Sequence, residues 1–177
     1  MPCSQTLIGI AKDCAVNLGG VKRVLAANAA DVTALTVTNN IITAITKSAA
    51  FVEFNFRPQT ANFASTWQIG DGGAKYVQTL LAMVFSRMET SKRIAVMALA
   101  QADAVAIVED ANGKYWYLGK DYPLELNTGD AGTGTARTDR NGYGITLEDN
   151  SLELPYEVDA TIIDGLLSYV APPTPVN

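Results

Sequence analysis

The sequence predicts a mainly β fold, a β-sandwich or partly open barrel with long hairpins and one flanking α-helix. Three observations predict it. Apolar and polar residues alternate along much of the chain, turn-forming Gly and Asn residues separate the alternating runs, and one stretch has helical spacing. The 177 residues suffice for one ordinary core and no linker divides them. Residues 1–177 therefore read as a single domain, with an N-terminal arm over 1–20 and an extended C-terminal tail over 171–177.

The mixed segment Met1 to Gly20 closes on Leu18-Gly19-Gly20, which sets it apart from the β-prone run Val21 to Ala27. Val32 to Thr38 and Ile41 to Thr46 flank Asn39-Asn40, a pair tolerant of positive φ, and predict a hairpin. In the next run Val52, Phe54 and Phe56 fall on one face and Glu53, Asn55 and Arg57 on the other, until Pro58 interrupts the ladder. Phe63 to Ile69, the tip Asp71-Gly72-Gly73 and Tyr76 to Ser86 continue it into a long hairpin spanning Phe51 to Phe85. In its last run Val77, Thr79, Leu81, Met83 and Phe85 share one face and Gln78, Leu80, Ala82, Val84 and Ser86 the other, both at least partly buried.

Helical spacing of Ile94, Met97, Ala98 and Gln101, behind the N-cap candidates Thr90 and Ser91, predicts a helix over Ser91 to Gln101 with its Met and Leu positions in the core. Ala104 to Val108 and Tyr115 to Leu118, joined through Asp110-Ala111-Asn112-Gly113, predict a second hairpin. Tyr115, Trp116 and Tyr117 point alternately to opposite faces, so one of them needs cover from outside the local core, which a partner subunit would supply. The Gly-, Thr- and Asp-rich stretch Asn127 to Gly142 reads as an extended loop, followed by strands over Tyr143 to Leu147 and around Tyr156 to Ile163.

Composition narrows the chemistry. Hydrophobic residues make up 48% of the chain and charged ones 18%, below the roughly 25% charged of typical soluble domains, so some surface is expected to meet protein. With 13 Lys and Arg against 18 Asp and Glu, a net charge of -5, no clustered cations are available to grip phosphates. The absence of His removes the commonest general base and every Ser-His or Cys-His pair, and no enzymatic activity is expected. Cys3 and Cys14 fit neither a redox pair nor a zinc motif and read as small apolar residues. Neither a signal peptide nor a membrane span is expected.

Three constellations fall short of a site. Gly132-Thr-Gly134-Thr-Ala-Arg137 begins like a dinucleotide fingerprint, but Arg stands where a small residue is needed and no helix follows. Asp130, Asp139 and Asp149, with Asn127 and Asn141, miss the EF-hand spacing, so no metal or other cofactor is expected. Glu109-Asp110 and Glu148-Asp149 border turns, where neighbouring carboxylates diverge, and do not make an acid-base pair.

The order of segments is itself informative. A long hairpin Phe51 to Phe85, a helix in Met88-Glu-Thr-Ser-Lys-Arg-Ile, the phrase Ala104-Val-Ala-Ile-Val-Glu-Asp-Ala-Asn-Gly-Lys-Tyr-Trp-Tyr-Leu-Gly, the Gly/Thr/Asp stretch and Tyr143-Gly-Ile-Thr-Leu follow one another. This order resembles the tail tube proteins of tailed bacteriophages, especially phages of Bacteroides-like hosts, over about Gly19 to Val158. The resemblance implies a structural virion protein that assembles with itself in the host bacterial cytoplasm into stacked hexameric rings. It also implies a tape-measure protein and tail-end proteins as partners, DNA passing through the tube without specific binding, and no membrane. An acidic wall suits such a channel because it repels phosphate.

On that reading one face of the Phe51 to Phe85 hairpin lines the lumen, with Glu53, Asn55 and Gln78 as candidates, while Arg57 pairs with a neighbouring subunit. Asp71, Gly72 and Gly73, the loop residues Asp130, Arg137, Asp139 and Arg140, and the N-terminal arm are candidates for ring-to-ring contact, and Trp116 for contact between subunits. The alternative is another virion component, such as a tail terminator or a capsid decoration protein.

Overall fold

A computed structural model describes residues 7–168; Cys3 and the tail 171–177 lie outside them. In chain order these residues form β1 (Val21–Asn28), β2 (Val32–Thr38), β3 (Ile41–Lys47), β4 (Val52–Phe54), β5 (Ala61–Ile69) and β6 (Lys75–Ser86), then helix α1 (Thr90–Gln101). There follow β7 (Ala104–Asp110), β8 (Tyr115–Leu118), β9 (Glu125–Gly132), β10 (Gly142–Ser151), β11 (Tyr156–Val158) and the one-turn helix α2 (Ile163–Leu166). Short 3-10 turns occupy Ala29–Asp31 and Ala160–Ile162.

Local turn chemistry explains the hairpins. Asn39 and Asn40 stand at φ 53° and 63°, the left-handed pair that matches the twist of the flanking strands. Alanine tolerates that region poorly, so Asn40→Ala should cost about 1 kcal/mol. The check is a lowered urea midpoint at unchanged slope. In the β7–β8 turn, Gly113 at φ 81° donates its N–H to the Asp110 carbonyl at 3.1 Å. The Asp110 side chain accepts from the N–H groups of Asn112 and Lys114 at 2.8 and 2.9 Å, closing a three-residue loop.

The strands form two sheets, a seven-stranded one ordered β2-β3-β11-β8-β7-β1-β4 and a four-stranded one ordered β5-β6-β10-β9. Neighbours run antiparallel except β11 and β3. The inner faces meet in a sandwich-like core, where Val24, Ala106, Val108 and Leu118 of the larger sheet share one cluster with Leu81, Met83, Ile145 and Leu147 of the smaller. Leu99 of α1 joins that cluster. A second cluster, with Leu25, Val105, Ile107 and Tyr117, includes Phe51, Ile163 and Leu166. The mainly β class, two sheets and few helices are as the sequence predicts.

Four expectations are corrected. The run Phe51 to Phe85 is not one hairpin: β4 pairs with β1 in the larger sheet, while β5 and β6 pair in the smaller. Pro58, and Gln59 at φ 64°, turn the chain from one sheet to the other. The stretch Asn127 to Gly142 is no simple loop, because β9 pairs with β10 along its length. Its residues are nearly all exposed, so the ladder on one edge supplies the order that their weak β propensity hides.

The expected strand around Tyr156 to Ile163 stops at Val158, since the Asp159 carboxylate accepts the Thr161 N–H at 2.9 Å and starts a turn. Finally, α1 turns Val96, Leu99 and Ala100 inward, leaving Ile94 60% and Met97 48% exposed. Apolar residues nearly encircle this helix, so spacing alone does not select the buried face.

Candidate functional site

The second face of the four-stranded sheet is unlike its core face. Register places Thr66, Gln78 and Asn150 in one row across β5, β6 and β10, and Ala64, Leu80, Glu148 and Glu125 in the next, across all four strands. A chain of side-chain hydrogen bonds crosses the sheet. The Gln68 amide donates to Gln78 at 3.3 Å, and the Gln78 amide donates to Glu148 at 2.8 Å. Glu148 also accepts from Asn150 at 3.1 Å and from Asn127, whose position at a register shift in β9 brings it onto this face. The Gln78 amide, ahead of Asn150 and Asn127, holds the Glu148 carboxyl below the ordinary carboxylate range.

No Lys or Arg occupies a strand position on this face, whereas Glu125, Asp130 and Glu148 do. The nearest cation comes from the β9–β10 tip, where Arg140 pairs with Asp130 above Gly144. The face thus carries acids and amides with no strand cation, alongside the half-buried Tyr76, Leu80, Ala82 and Val84 of β6, and extends about 33 Å along the ten residues of β10.

Both lateral edges are open among the described residues: the order begins at β5 and ends at β9. Since β5, β6, β10 and β9 alternate in direction, β5 and β9 themselves run antiparallel. Trp67 is 60% and Ile69 73% exposed on β5, and Leu126 is 46% exposed on β9. The hairpin tips project from opposite ends of the sheet. Asp71-Gly72-Gly73 joins β5 to β6 beyond the Lys75 end, and the 133–141 tip lies beyond Ser86, which pairs with Gly142.

Of the lumen candidates, Gln78 sits in this plane and the other two do not. Glu53 lies on β4 in the larger sheet, 3.7 Å from Arg23, which also binds Glu109 at 2.7 Å. Asn55 and Arg57 are exposed beyond β4 and line a cleft beside Arg87 and Lys92. Asp71, Gly72 and Gly73 form an exposed tip. Trp116 is half-buried on its own chain, its indole N–H donating to Asp110 at 3.1 Å, so local contacts supply part of the cover expected from a partner.

In the β9–β10 tip, Asp139 accepts the N–H groups of Thr135 and Ala136, each at 2.8 Å, and these bonds, Ala136 first, keep its carboxyl below the usual range. Asp139 therefore organises the tip, while Arg137 is exposed on it. Glu109 and Asp110 are engaged by Arg23 and by the β7–β8 turn respectively. Among the described residues no three acidic or Cys side chains converge as metal ligands, and no helix is long and apolar enough to cross a membrane.

Sequence reasoning missed Gln68, Asn127 and Glu148 as members of this surface, and Trp67 as an exposed residue of the β5 edge. A signal for Gln68 and Glu148 was present, because continuing the alternation Ile145, Leu147, Asp149 puts Glu148 outward, and Gln68 and Gln78 flank the same tip; Asn127 reaches this face through a register shift in β9 that its sequence does not signal. No protein family, curated protein or solved structure matches the chain.

Proposed function

We propose that the chain is a structural virion protein that assembles with itself into stacked hexameric rings, forming a phage tail tube that conducts DNA. The observation that carries this reading is the face of acids and amides, without a strand cation, bounded by two open edges. Because β5 and β9 are antiparallel, β9 of one copy can pair with β5 of the next without breaking the alternation of directions. Such a contact joins two different edges, so it is heterologous, and it forms a ring where the rotation from copy to copy closes. Trp67, Ile69 and Leu126 would lose water at that seam. The tips at opposite ends would meet the rings above and below, and an inward-facing plane without strand cations would repel phosphate. The hexameric count, the tape-measure and tail-end partners, and assembly in the host cytoplasm come from the resemblance of segment order.

Negative-stain microscopy of the purified protein tests this. Rings or tubes with a central channel are expected. Trp67→Asp combined with Leu126→Asp should abolish them while leaving a folded monomer, checked by circular dichroism and a cooperative melt, since both side chains are partly exposed at the sheet edges. Uniform monomers under all conditions, including added tape-measure protein, overturn the proposal. Closed rings that never stack would favour a tail terminator, and binding to a capsid lattice alone would favour a decoration protein.

A further inference from the structure

Beside α1 runs a groove of about 380 Å³, between the helix, the Asn28 end of β1 and β4. Eight of its thirteen lining residues are alanine, among them Ala27, Ala50, Ala95, Ala98 and Ala102, with Val52 59% exposed at its side. Walls of methyl groups leave room for larger side chains from elsewhere. The only acid in the lining is Asp31.

The same chain carries what such a groove lacks. Over residues 7–18 the arm has no regular structure, and Leu7, Ile8, Ile10 and Val16 are between 84% and 100% exposed. Ile8 and Ile10, two residues apart on an extended segment, share a face, and Gly9 between them leaves the other face bare for close approach. Lys12, the one cation of residues 7–20, follows two positions later. The arm is rooted away from the groove: Asn112 in the β7–β8 turn accepts the Leu18 N–H at 2.9 Å and donates to Asn17 at 2.9 Å. That clamp lies at the Val21 end of β1, whereas the groove lies at the Asn28 end.

We infer that the α1 groove receives the N-terminal arm of a second copy, with Ile8 and Ile10 seated between the alanines and Lys12 beside Asp31. Burying two Ile side chains opposes the entropy of ordering the arm. That makes a modest contact, strong enough to matter when repeated between many copies. It is separate from the β5–β9 seam and does not require a closed ring.

The test uses the full chain with Cys3→Ser and Cys14→Ser, so that introduced thiols are the only ones. Ile10→Cys protein is mixed with Ala98→Cys protein under mild oxidation. A disulfide-linked pair of the two is expected, at least tenfold above either protein alone or a mix of Ile10→Cys with Thr66→Cys. Adding Ile8→Asp to the Ile10→Cys chain should remove it. Failure to link above those controls overturns the inference. So does a link within one monomer when Ile10→Cys and Ala98→Cys share a chain and the mixed singles do not link, because the arm then fills its own groove. Mixed singles that link while microscopy shows no rings would support the arm contact and sink the ring reading alone.

Discussion

Leu81→Ala is expected to lower the unfolding free energy by about 3–4 kcal/mol, because truncating a fully buried Leu removes transfer energy and leaves a cavity. Leu81 has no exposed surface and sits mid-strand in β6, opposite Phe63 of β5 and Leu147 of β10. Its cluster contains Val24, Ala106 and Val108 from the other sheet, so the lost methyl groups come from the contact that holds the two layers together. For a chain of this size the melting temperature should fall by roughly 6–15 °C. The next residue supplies the contrast: Leu80 lies on the opposite face, half-buried, and Leu80→Ala should cost less than half as much in the monomer. Equal losses at the two positions, measured by chemical denaturation, would contradict the assignment of core face and polar face.

Asp149→Ala should cost about 2–3 kcal/mol, because it strands buried donors. Asp149 is 3% exposed on the core face of β10. One of its oxygens accepts the Gly119 N–H at 2.8 Å and the other the Ser151 hydroxyl at 2.6 Å. The bond to Gly119, just past β8, ties the smaller sheet to the larger. Burial is the leading influence on its carboxyl and raises it above the ordinary value of 3.8, against the lowering effect of those hydrogen bonds. The folded chain therefore holds this proton more tightly than the unfolded chain does. The stabilisation from protonation is fully present below pH 3.8, declines as pH rises through the folded value, and is gone above it. Asp149→Asn cannot titrate, so the stability difference between wild type and this variant should shift against the wild type over that window and level off above it. A difference that stays flat across acid pH would show that Asp149 does not bind its proton more tightly on folding.

Structure encoded in a few adjacent residues was legible from sequence. Asn39-Asn40 and Asp110 to Gly113 set the backbone directly, and both hairpins lie where those turns place them. The alternation in β6 identified both of its faces. Membership of a sheet was not legible, because the crossing at Pro58 and Gln59 depends on what each strand packs against, and the alternation of Val52 to Arg57 is the same on either side. For the same reason Glu53 read as part of the hairpin face when its partner is Arg23, thirty residues earlier. β9 stayed hidden because it is an exposed edge of Gly, Thr and Asp whose order comes from β10. The candidate plane was legible only at Gln78, since the amide ladder joins residues as far apart as positions 68 and 148.

The parallel pair β3–β11 governs when the domain can close. Ile42 lies beside Val158, a partner synthesised 116 residues later. At about 5–20 residues per second, translation takes roughly 6–23 s to supply it. Until then the inner edge of β3 stays open and the cluster around Ile42 lacks Val158, Ile163 and Leu166. A shortened chain ending before Tyr156 would keep the whole four-stranded sheet but leave that edge bare, competent to stick and not to finish. The segment that carries β11 and α2 thus acts as a completeness check on this sheet, coupling its own synthesis to the loss of an open edge.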